Sequence, residues 1–231
     1  MPQDDAPYVP DAALAAEDVP ALVVGAGPAG LMAADTLSAS GHRVVLTDAM
    51  PSPGRKLLMA GKSGLNLTKD EPDEAFRAAL DPWGRPLPEA LDAALRGFGP
   101  QAAMAWARGL GQDLVVGSTA RVFPAAWKAS PLLRAWLARL GERGVALRTR
   151  WRWEGFEGNA SLFATPGGPR LLRAGATVLA TGGATWARLG SDRAWAGTAG
   201  AEGSGGTGAP AGGSTSTTTT VTTDKSKGKG K

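Results

Sequence analysis

The sequence predicts an α/β fold with a parallel central sheet, and two observations carry this prediction. Apolar runs at residues 21–24 and 44–46 enclose a Gly-rich turn and a helical stretch that continues to about Ala39. A strand, a helix and a second strand in this order form a βαβ unit, whose strands lie parallel. Strand-like runs return between residues 145 and 180, so the sheet continues after a helical middle.

The remaining elements are predicted from local patterns. Gly41 follows the first helix, where a residue that tolerates positive φ is favoured. A later helix begins at Ser130 and carries one apolar stripe: Leu133, Trp136, Leu137 and Leu140. Further helices are predicted near 73–80, 88–96 and 100–108, strands at 145–153, 160–165, 170–174 and 177–180, and loops at 51–69 and 120–130.

Composition excludes several kinds of site. The chain has no cysteine, which rules out disulfides, thiolate catalysis and cysteine-bound metals. It has one histidine, His42, between a predicted helix and strand, so we expect a surface residue and neither a histidine triad nor a multi-histidine metal site. The net charge is +4, but the residues from Thr222 onward hold four Lys and one Asp, so the rest is nearly neutral.

Composition also divides the chain into three parts. Residues 1–18 have acidic residues and no Lys or Arg, and are predicted to form a disordered leader. Residues 19–196 are predicted to form the domain, and residues 197–231, rich in Gly, Ser and Thr, a low-complexity disordered tail. The start lacks the basic and apolar regions of a signal peptide, and no apolar run reaches the length of a membrane span. We therefore expect a cytoplasmic protein without membrane attachment.

The turn after the first strand carries the strongest chemical signal. Gly25, Gly27 and Gly30 form the pattern G-x-G-x-x-G, which also contains Pro28 and Ala29. In a Rossmann-like domain the first glycine permits a tight turn, the second lets the backbone approach a pyrophosphate, and the third lets helix and strand pack closely. The pyrophosphate then meets free N–H groups at the positive end of the helix dipole.

An acidic residue completes this pattern. Asp48 ends the second predicted strand, where a carboxylate accepts a hydrogen bond from a ribose hydroxyl. Gly-rich turns are common, so the alternative for the glycines alone is a structural turn without a ligand. Together, the two strands, the helix, the glycines and the acid predict dinucleotide binding.

Longer motifs indicate which dinucleotide is bound. The segment GAGPAGL resembles the start of FAD-binding domains. Three further segments strengthen the likeness: GRKLLMAGKSGLNLTK (54–69), ARVFPAAWKASPLLRAWL (120–137) and ATGGATWARLGSDRAW (180–195). Together they resemble the bacterial aminoacetone oxidase-like, or BaiN-type, NAD(P)/FAD-dependent oxidoreductases over roughly residues 20–196. The resemblance implies a glutathione-reductase-type Rossmann-like fold with FAD as the cofactor.

The resemblance also implies roles for residues outside the glycine turn. Arg55 and Lys56 are expected to donate hydrogen bonds to phosphates or to the flavin edge. A small polar run is expected to offer backbone N–H groups and short side chains to the isoalloxazine ring: Gly61, Ser63, Gly64, Asn66 and Thr68. The turn of Thr181, Gly182 and Gly183 is expected to pass beside the cofactor. The alternatives are two surface cations, an ordinary loop and an ordinary turn.

One departure from the family pattern affects the chemistry. Many members of the wider family have Gly-Gly-Arg-Cys where this chain has Lys62, Ser63 and Leu65. The chain therefore falls into a subgroup in which a cysteine-based redox role is absent.

Two functions of different classes are open. The resemblance implies an FAD-dependent oxidoreductase that transfers hydride through the flavin to or from a small molecule, with NAD(P)H or oxygen as the electron partner. No protein general base is evident and no catalytic residue is assigned, as is usual where the cofactor performs the chemistry. The alternative is a truncated, catalytically inactive dinucleotide-binding fragment, because family members continue past residue 196 and residues 197–231 do not resemble their flavin-closing segment.

A nucleic-acid partner is the weakest of the hypotheses. Four Lys on a flexible tail provide only a non-specific, salt-sensitive attraction. The sequence leaves the substrate and the oligomeric state open.

Overall fold

The structure, a computed structural model, describes residues 14–80, 87–183 and 221–223. The chain divides into two compact units. Unit 1 consists of Met1–Pro53 and Ala146–Lys231, and unit 2 of Gly54–Val145. Most of the predicted leader and of the predicted tail lies outside the described residues.

The elements of the described residues are, in chain order, β1 (Ala16–Val24), α1 (Pro28–Ala39), β2 (Val44–Asp48), α2 (Arg55–Ala60), β3 (Thr68–Lys69), α3 (Asp73–Ala79), α4 (Glu89–Gly97), α5 (Pro100–Gly109), β4 (Leu114–Val116), β5 (Arg121–Pro124), α6 (Ala129–Glu142), β6 (Ala146–Thr149), β7 (Arg152–Glu157), β8 (Ala160–Thr165), β9 (Gly168–Leu179) and β10 (Val221–Thr223).

Unit 1 is built on one sheet. Four of its strands are parallel and lie in the order β6-β2-β1-β9, with β6 at the edge, and β8 and β7 extend the sheet with antiparallel pairing. The βαβ unit of β1, α1 and β2 has its predicted boundaries at the helix, and Gly41 follows it with a φ of +82°. The predicted α/β fold with a parallel central sheet is confirmed.

One helix and one hairpin contribute to the packing of this sheet. Helix α1 contacts β1, β2 and β9, and its Leu31 and Ala34 are buried. An apolar core cluster contains residues of the parallel strands and of the β7–β8 hairpin: Val19, Leu22, Val24, Val45, Trp153, Phe163, Leu172 and Leu179. The hairpin therefore supplies the large aromatic part of this core.

Strand β1 begins earlier than the sequence predicts. Ala16, Glu17 and Asp18 fall within the predicted leader, yet they pair with residues 171–173 of β9. These three residues give no alternating apolar pattern, and the Asp18 carboxylate accepts a hydrogen bond from Arg173 at 3.1 Å. The pairing comes from the length of β9, which is one continuous strand where two short strands are predicted.

The predicted tail contributes a strand to unit 1. Val221–Thr223 forms β10, which pairs antiparallel with Ala176, Thr177 and Val178 of β9. Because β8 pairs only with the first half of β9, the second half offers free backbone groups on that side. Strand β10 does not show in the composition of residues 197–231, which is an average over the segment, although Val and Thr are good strand residues locally. The rest of the predicted tail lies outside the described residues.

Unit 2 is mainly helical, with one small sheet. Helices α3, α4 and α5 match the predicted helices to within two residues. Helix α6 begins one residue before Ser130, and Leu132 takes the buried place expected of Leu137, which is only half-buried. The small sheet has the order β3-β5-β4 with antiparallel pairing.

Three elements of unit 2 lie in stretches predicted as loops. Helix α2 and strand β3 occupy parts of 51–69, and β5 occupies part of 120–130. Strand β5 ends in Pro124 and is only four residues long, so it carries no periodic pattern of its own. Its hydrogen bonds with β3 and β4 define it, and these depend on the tertiary fold.

We expect Gly30→Ala to destabilise the folded chain by about 3 kcal/mol, the upper part of the range for overpacking. A Cβ at Gly30 would lie 1.7 Å from the carbonyl oxygen of Gly25, and a backbone atom in a tight turn cannot move aside. Gly141→Ala is the matched control, since Gly141 is helical, is exposed and has no atom within 4 Å of its added Cβ. Urea unfolding followed by circular dichroism checks both variants, and equal midpoints would contradict the close packing.

Candidate functional site

The glycine turn lies at the carboxyl ends of the parallel strands. The N–H of Gly25 donates to the carbonyl of Thr47 at 2.8 Å, and the N–H of Ala180 donates to the carbonyl of Val24 at 2.8 Å. These bonds join the ends of β1, β2 and β9 at one edge. In open α/β sheets, ligands bind at this edge.

The three glycines of the motif differ in what the fold requires of them. Gly25 has a φ of +102°, and its added Cβ would lie 2.4 Å from the carbonyl oxygen of Ala180. Gly30 faces the carbonyl oxygen of Gly25 at 1.7 Å. Gly27 has an ordinary φ of −78°, and no atom lies within 4 Å of its added Cβ. The fold therefore explains Gly25 and Gly30 but not Gly27.

The first turn of α1 offers hydrogen-bond donors to a ligand. The first helical bond runs from the N–H of Leu31 to the carbonyl of Gly27, which leaves the N–H groups of Ala29 and Gly30 at the helix start. No side chain caps this end, and its first turn has no acidic residue. Pro28 has no N–H and suits the first helical position. Such an end favours an anion.

Asp48 is tied to the glycine turn by its side chain. The N–H of Ala26 donates to Oδ2 at 2.8 Å, and the N–H of Met50 donates to Oδ1 at 2.8 Å. An ionised carboxylate acts only as a hydrogen-bond acceptor and can accept several hydrogen bonds. The bond to Ala26 was not foreseen from the sequence, because no residue type marks a backbone donor.

The turn after β9 lies against the same glycines. The Cα of Thr181 is 3.2 Å from the Cβ that Gly25 lacks, so the two backbones touch. Gly182 has a φ of +79°, which favours glycine there, and Gly183 is the last described residue before Val221. The structure thus brings together all predicted site residues of unit 1: Gly25, Gly27, Pro28, Ala29, Gly30, Asp48, Thr181, Gly182 and Gly183.

The predicted cations lie at the start of α2 in unit 2. Lys56 is partly buried, and the loss of water lowers the pKa of its ammonium group from the ordinary value. The Nε of Arg55 is buried and has no hydrogen-bond partner within the described part of the chain. A buried hydrogen-bond donor without a partner destabilises the protein, and an acceptor atom of a ligand would remove this cost. A ligand that is anionic or has several hydrogen-bond acceptors would therefore interact favourably with both side chains.

The predicted polar loop of unit 2 follows α2. Gly61 packs against Ala129, whose Cβ would be 2.5 Å from an added Cβ, so no larger residue fits. Gly64 has a φ of +126°. Ser63 and Asn66 are exposed, and their side chains form no hydrogen bond with any described residue. Thr68 pairs with Val122 in the small sheet.

One aromatic residue joins this loop although it was not predicted as a site residue. The carbonyl of Trp127 accepts a hydrogen bond from the N–H of Leu65 at 3.1 Å. Trp127 is 50% exposed and stacks on Phe123. The available signal was a lone tryptophan in a short, irregular stretch of small residues.

The described residues place limits on other chemistry. His42 is exposed, as predicted. Within residues 14–80, 87–183 and 221–223, no group of three or more His, Cys, Asp or Glu side chains is arranged to hold a metal ion. None of the helices in these ranges combines the length and the hydropathy of a membrane span.

Two curated proteins, both opine oxidase chains, are similar to part of this chain. The one from Agrobacterium tumefaciens (strain Ach5) is 44% identical over 71 residues, which cover 30% of this chain and 13% of the relative. The one from Rhizobium meliloti is 34% identical over 84 residues, which cover 36% of this chain and 15% of the relative. The chain thus spans less than a fifth of the length of these relatives.

Solved structures share the fold. A flavocytochrome c3 fumarate reductase matches with a TM-score of 0.57 and 23% identity over 72% of this chain and 34% of the other. The 3-ketosteroid-Δ4-(5α)-dehydrogenase of Rhodococcus jostii RHA1 matches with a TM-score of 0.57 and 15% identity over 72% of this chain and 46% of the other. At these identities the likeness shows the fold alone.

A family model gives the broadest match. The HI0933-like protein Rossmann domain matches residues 19–227. The match extends past residue 196, where the resemblance seen in the sequence ends, and so includes most of the predicted tail. Because this match covers most of the chain, the protein belongs to the HI0933-like Rossmann-domain family.

Proposed function

We propose that this chain binds FAD and that it is the dinucleotide-binding part of an oxidoreductase acting on a small molecule. The family, the resemblance of three long motifs and the edge of the unit 1 sheet support this proposal. The substrate class stays open, and NAD(P)H or oxygen is the proposed electron partner. The proposal includes the cytoplasm as the compartment, where NAD(P)H would be available.

The single observation that carries the proposal is the glycine at position 27. Neither its φ nor its surroundings require glycine, and alanine would lower the entropy of the unfolded chain. A ligand that must contact the backbone does require it. The pyrophosphate of FAD is such a ligand, since the N–H groups of Ala29 and Gly30 lie beside Gly27 at the positive end of α1.

Asp48 has the proposed task of binding the adenosine ribose. Its two oxygens already fix the backbone of Ala26 and Met50, so the carboxylate is held at the edge in one orientation. We assign the ribose hydroxyl as a further donor to this carboxylate. In this assignment the positive helix end binds the phosphates and the carboxylate binds the hydroxyl.

The residues of unit 2 are assigned to the flavin on the basis of the family resemblance. Arg55 and Lys56 would donate to acceptor atoms of the cofactor, which agrees with the partnerless Nε and the partly desolvated ammonium group. The loop that follows would hydrogen-bond to the ring through its backbone and its short side chains. The side chains of Ser63 and Asn66 have no hydrogen-bond partner among the described residues. The loop residues are Gly61, Ser63, Gly64, Asn66 and Thr68.

The flavin supplies the hydride chemistry when it is bound. The residues of this chain would hold the cofactor, orient it and exclude water from it. A catalytic side chain is not assigned. The competing possibility, that the chain holds FAD without turnover, is separated by measuring NAD(P)H oxidation and FAD binding on the same preparation.

We expect Gly27→Val to abolish tight FAD binding while leaving the fold intact. A branched side chain would occupy the space through which the pyrophosphate reaches the backbone. The protein itself leaves room there, because apart from the chain neighbours no atom lies within 4 Å of a Cβ added at position 27. FAD titration measures the dissociation constant, and circular dichroism confirms folding. Gly167→Val is the control, because Gly167 is an exposed turn residue of unit 1 whose nearest atom would be 3.7 Å away. Equal FAD affinity in the two variants would refute the phosphate assignment.

We expect Asp48→Ala to weaken FAD binding by about 1.5–3 kcal/mol, the scale of a hydrogen bond to a charged group. Because Asp48 also holds Ala26, a loss of affinity alone would not identify the ribose contact. The decisive measurement compares ADP with 2′-deoxy-ADP in both proteins, as in a double-mutant cycle. The wild type should favour ADP, and the variant should lose that preference. The same preference in both proteins would mean that the carboxylate does not bind the 2′-hydroxyl.

A further inference from the structure

Trp127 is a bulky residue in a backbone conformation that glycine adopts without strain. Its φ is +57°, in the left-handed region where the Cβ of an L-residue crowds a carbonyl oxygen. Its N–H donates to the carbonyl of Pro124 at 2.7 Å, and its own carbonyl accepts from the N–H of Leu65. These backbone bonds hold the turn and would form equally well with glycine. The choice of tryptophan therefore has to be explained by its side chain.

The indole ring is supported but not buried. It stacks on Phe123 with ring centroids 4.6 Å apart and an interplanar angle of 24°. An added Cβ on Gly64 would lie 3.2 Å from its Cε3, so glycine at position 64 leaves room for the ring. Half of Trp127 nevertheless remains exposed. A residue that only stabilised unit 2 would bury more of this apolar area.

Strain at an exposed aromatic residue points to a ligand. Non-glycine residues in sparsely populated conformations persist where the surrounding structure fixes them, and they concentrate at functional sites. A flat, rigid indole face is suited to a flat conjugated ring, which it binds by offset stacking. Phe123 stacks on one face of the indole and restricts its motion. The Trp127 side chain would therefore lose little conformational entropy on binding.

We propose that Trp127, supported by Phe123, stacks against the isoalloxazine ring of FAD and so positions it. This inference rests on the proposed function. Its specific support is that Trp127 touches the loop assigned to the flavin twice, through the hydrogen bond to Leu65 and the packing on Gly64. The exposed cations Arg121 and Lys128 flank the aromatic pair along the chain and suit a dinucleotide that carries negative charge.

The test uses FAD and ADP as probes, because ADP lacks the flavin ring. Trp127→Ala should lower FAD affinity roughly tenfold, within the range for base–aromatic stacking, and leave ADP affinity unchanged. Trp127→Phe should keep most of the FAD affinity, since a ring remains, but the fluorescence of bound FAD should rise because indole quenches flavin more strongly than phenyl. Phe98→Ala is the control, since Phe98 is an aromatic residue of unit 2 with 41% exposure.

Several outcomes would overturn the inference. Equal losses for FAD and ADP in Trp127→Ala would indicate a structural effect. Unchanged FAD affinity and unchanged flavin fluorescence would mean that the ring is elsewhere. If Trp127→Ala fails to fold, as judged by circular dichroism, the fluorescence of Trp127→Phe decides. A wild type that does not bind FAD would defeat the proposed function together with this inference, whereas a wild type that binds FAD and variants that match it would defeat this inference alone.

Discussion

The close packing of Gly30 on Gly25 is the contact on which the candidate dinucleotide site depends. With 1.7 Å between the carbonyl oxygen of Gly25 and the position of a Cβ on Gly30, only a residue without a side chain lets α1 start where it does. Gly25 in turn lies directly against Ala180 at the end of β9. Because Gly25 and Gly30 have no side chains, the start of α1 and the ends of β1 and β9 can approach one another this closely. Attraction between side chains is not required to place the free N–H groups of α1 at the sheet edge.

Asp48 adds polarity to this steric arrangement. Its carboxylate accepts the N–H of Ala26 and so joins the end of β2 to the glycine turn. The edge then presents a positive helix end and a fixed carboxylate, which is hydrogen-bonded to Ala26 just before α1 begins. A ligand with a phosphate group and a hydroxyl group matches both, because the phosphate accepts hydrogen bonds and the hydroxyl donates one. A ligand with phosphate alone would leave the carboxylate unused.

Sequence reasoning succeeded where the structure is local. The βαβ unit, Gly41 and the roles of Gly25 and Gly30 follow from patterns within thirty residues, and the structure has each of them. It failed where pairing partners are distant. Ala16–Asp18 form a strand only because β9, some 155 residues later, extends past them, and Val221–Thr223 form one only because β8 leaves half of β9 free. The bond between Asp48 and Ala26 was also beyond prediction, since it depends on a backbone donor.

In unit 2, two residues other than glycine have backbone conformations that favour glycine. Ala120 and Trp127 both have positive φ and bracket β5, and each donates its N–H to close a turn. Rules that look for glycine at such turns pass over them, which is why the sequence predicts only a loop at 120–130. Position 27 has a glycine that the fold does not need, and position 127 has a tryptophan where the backbone would favour glycine. Neither choice maximises the stability of the free chain. Each choice is explained by the ligand contact proposed for it. A pyrophosphate requires accessible backbone at position 27, and a flat ring requires an aromatic surface at position 127.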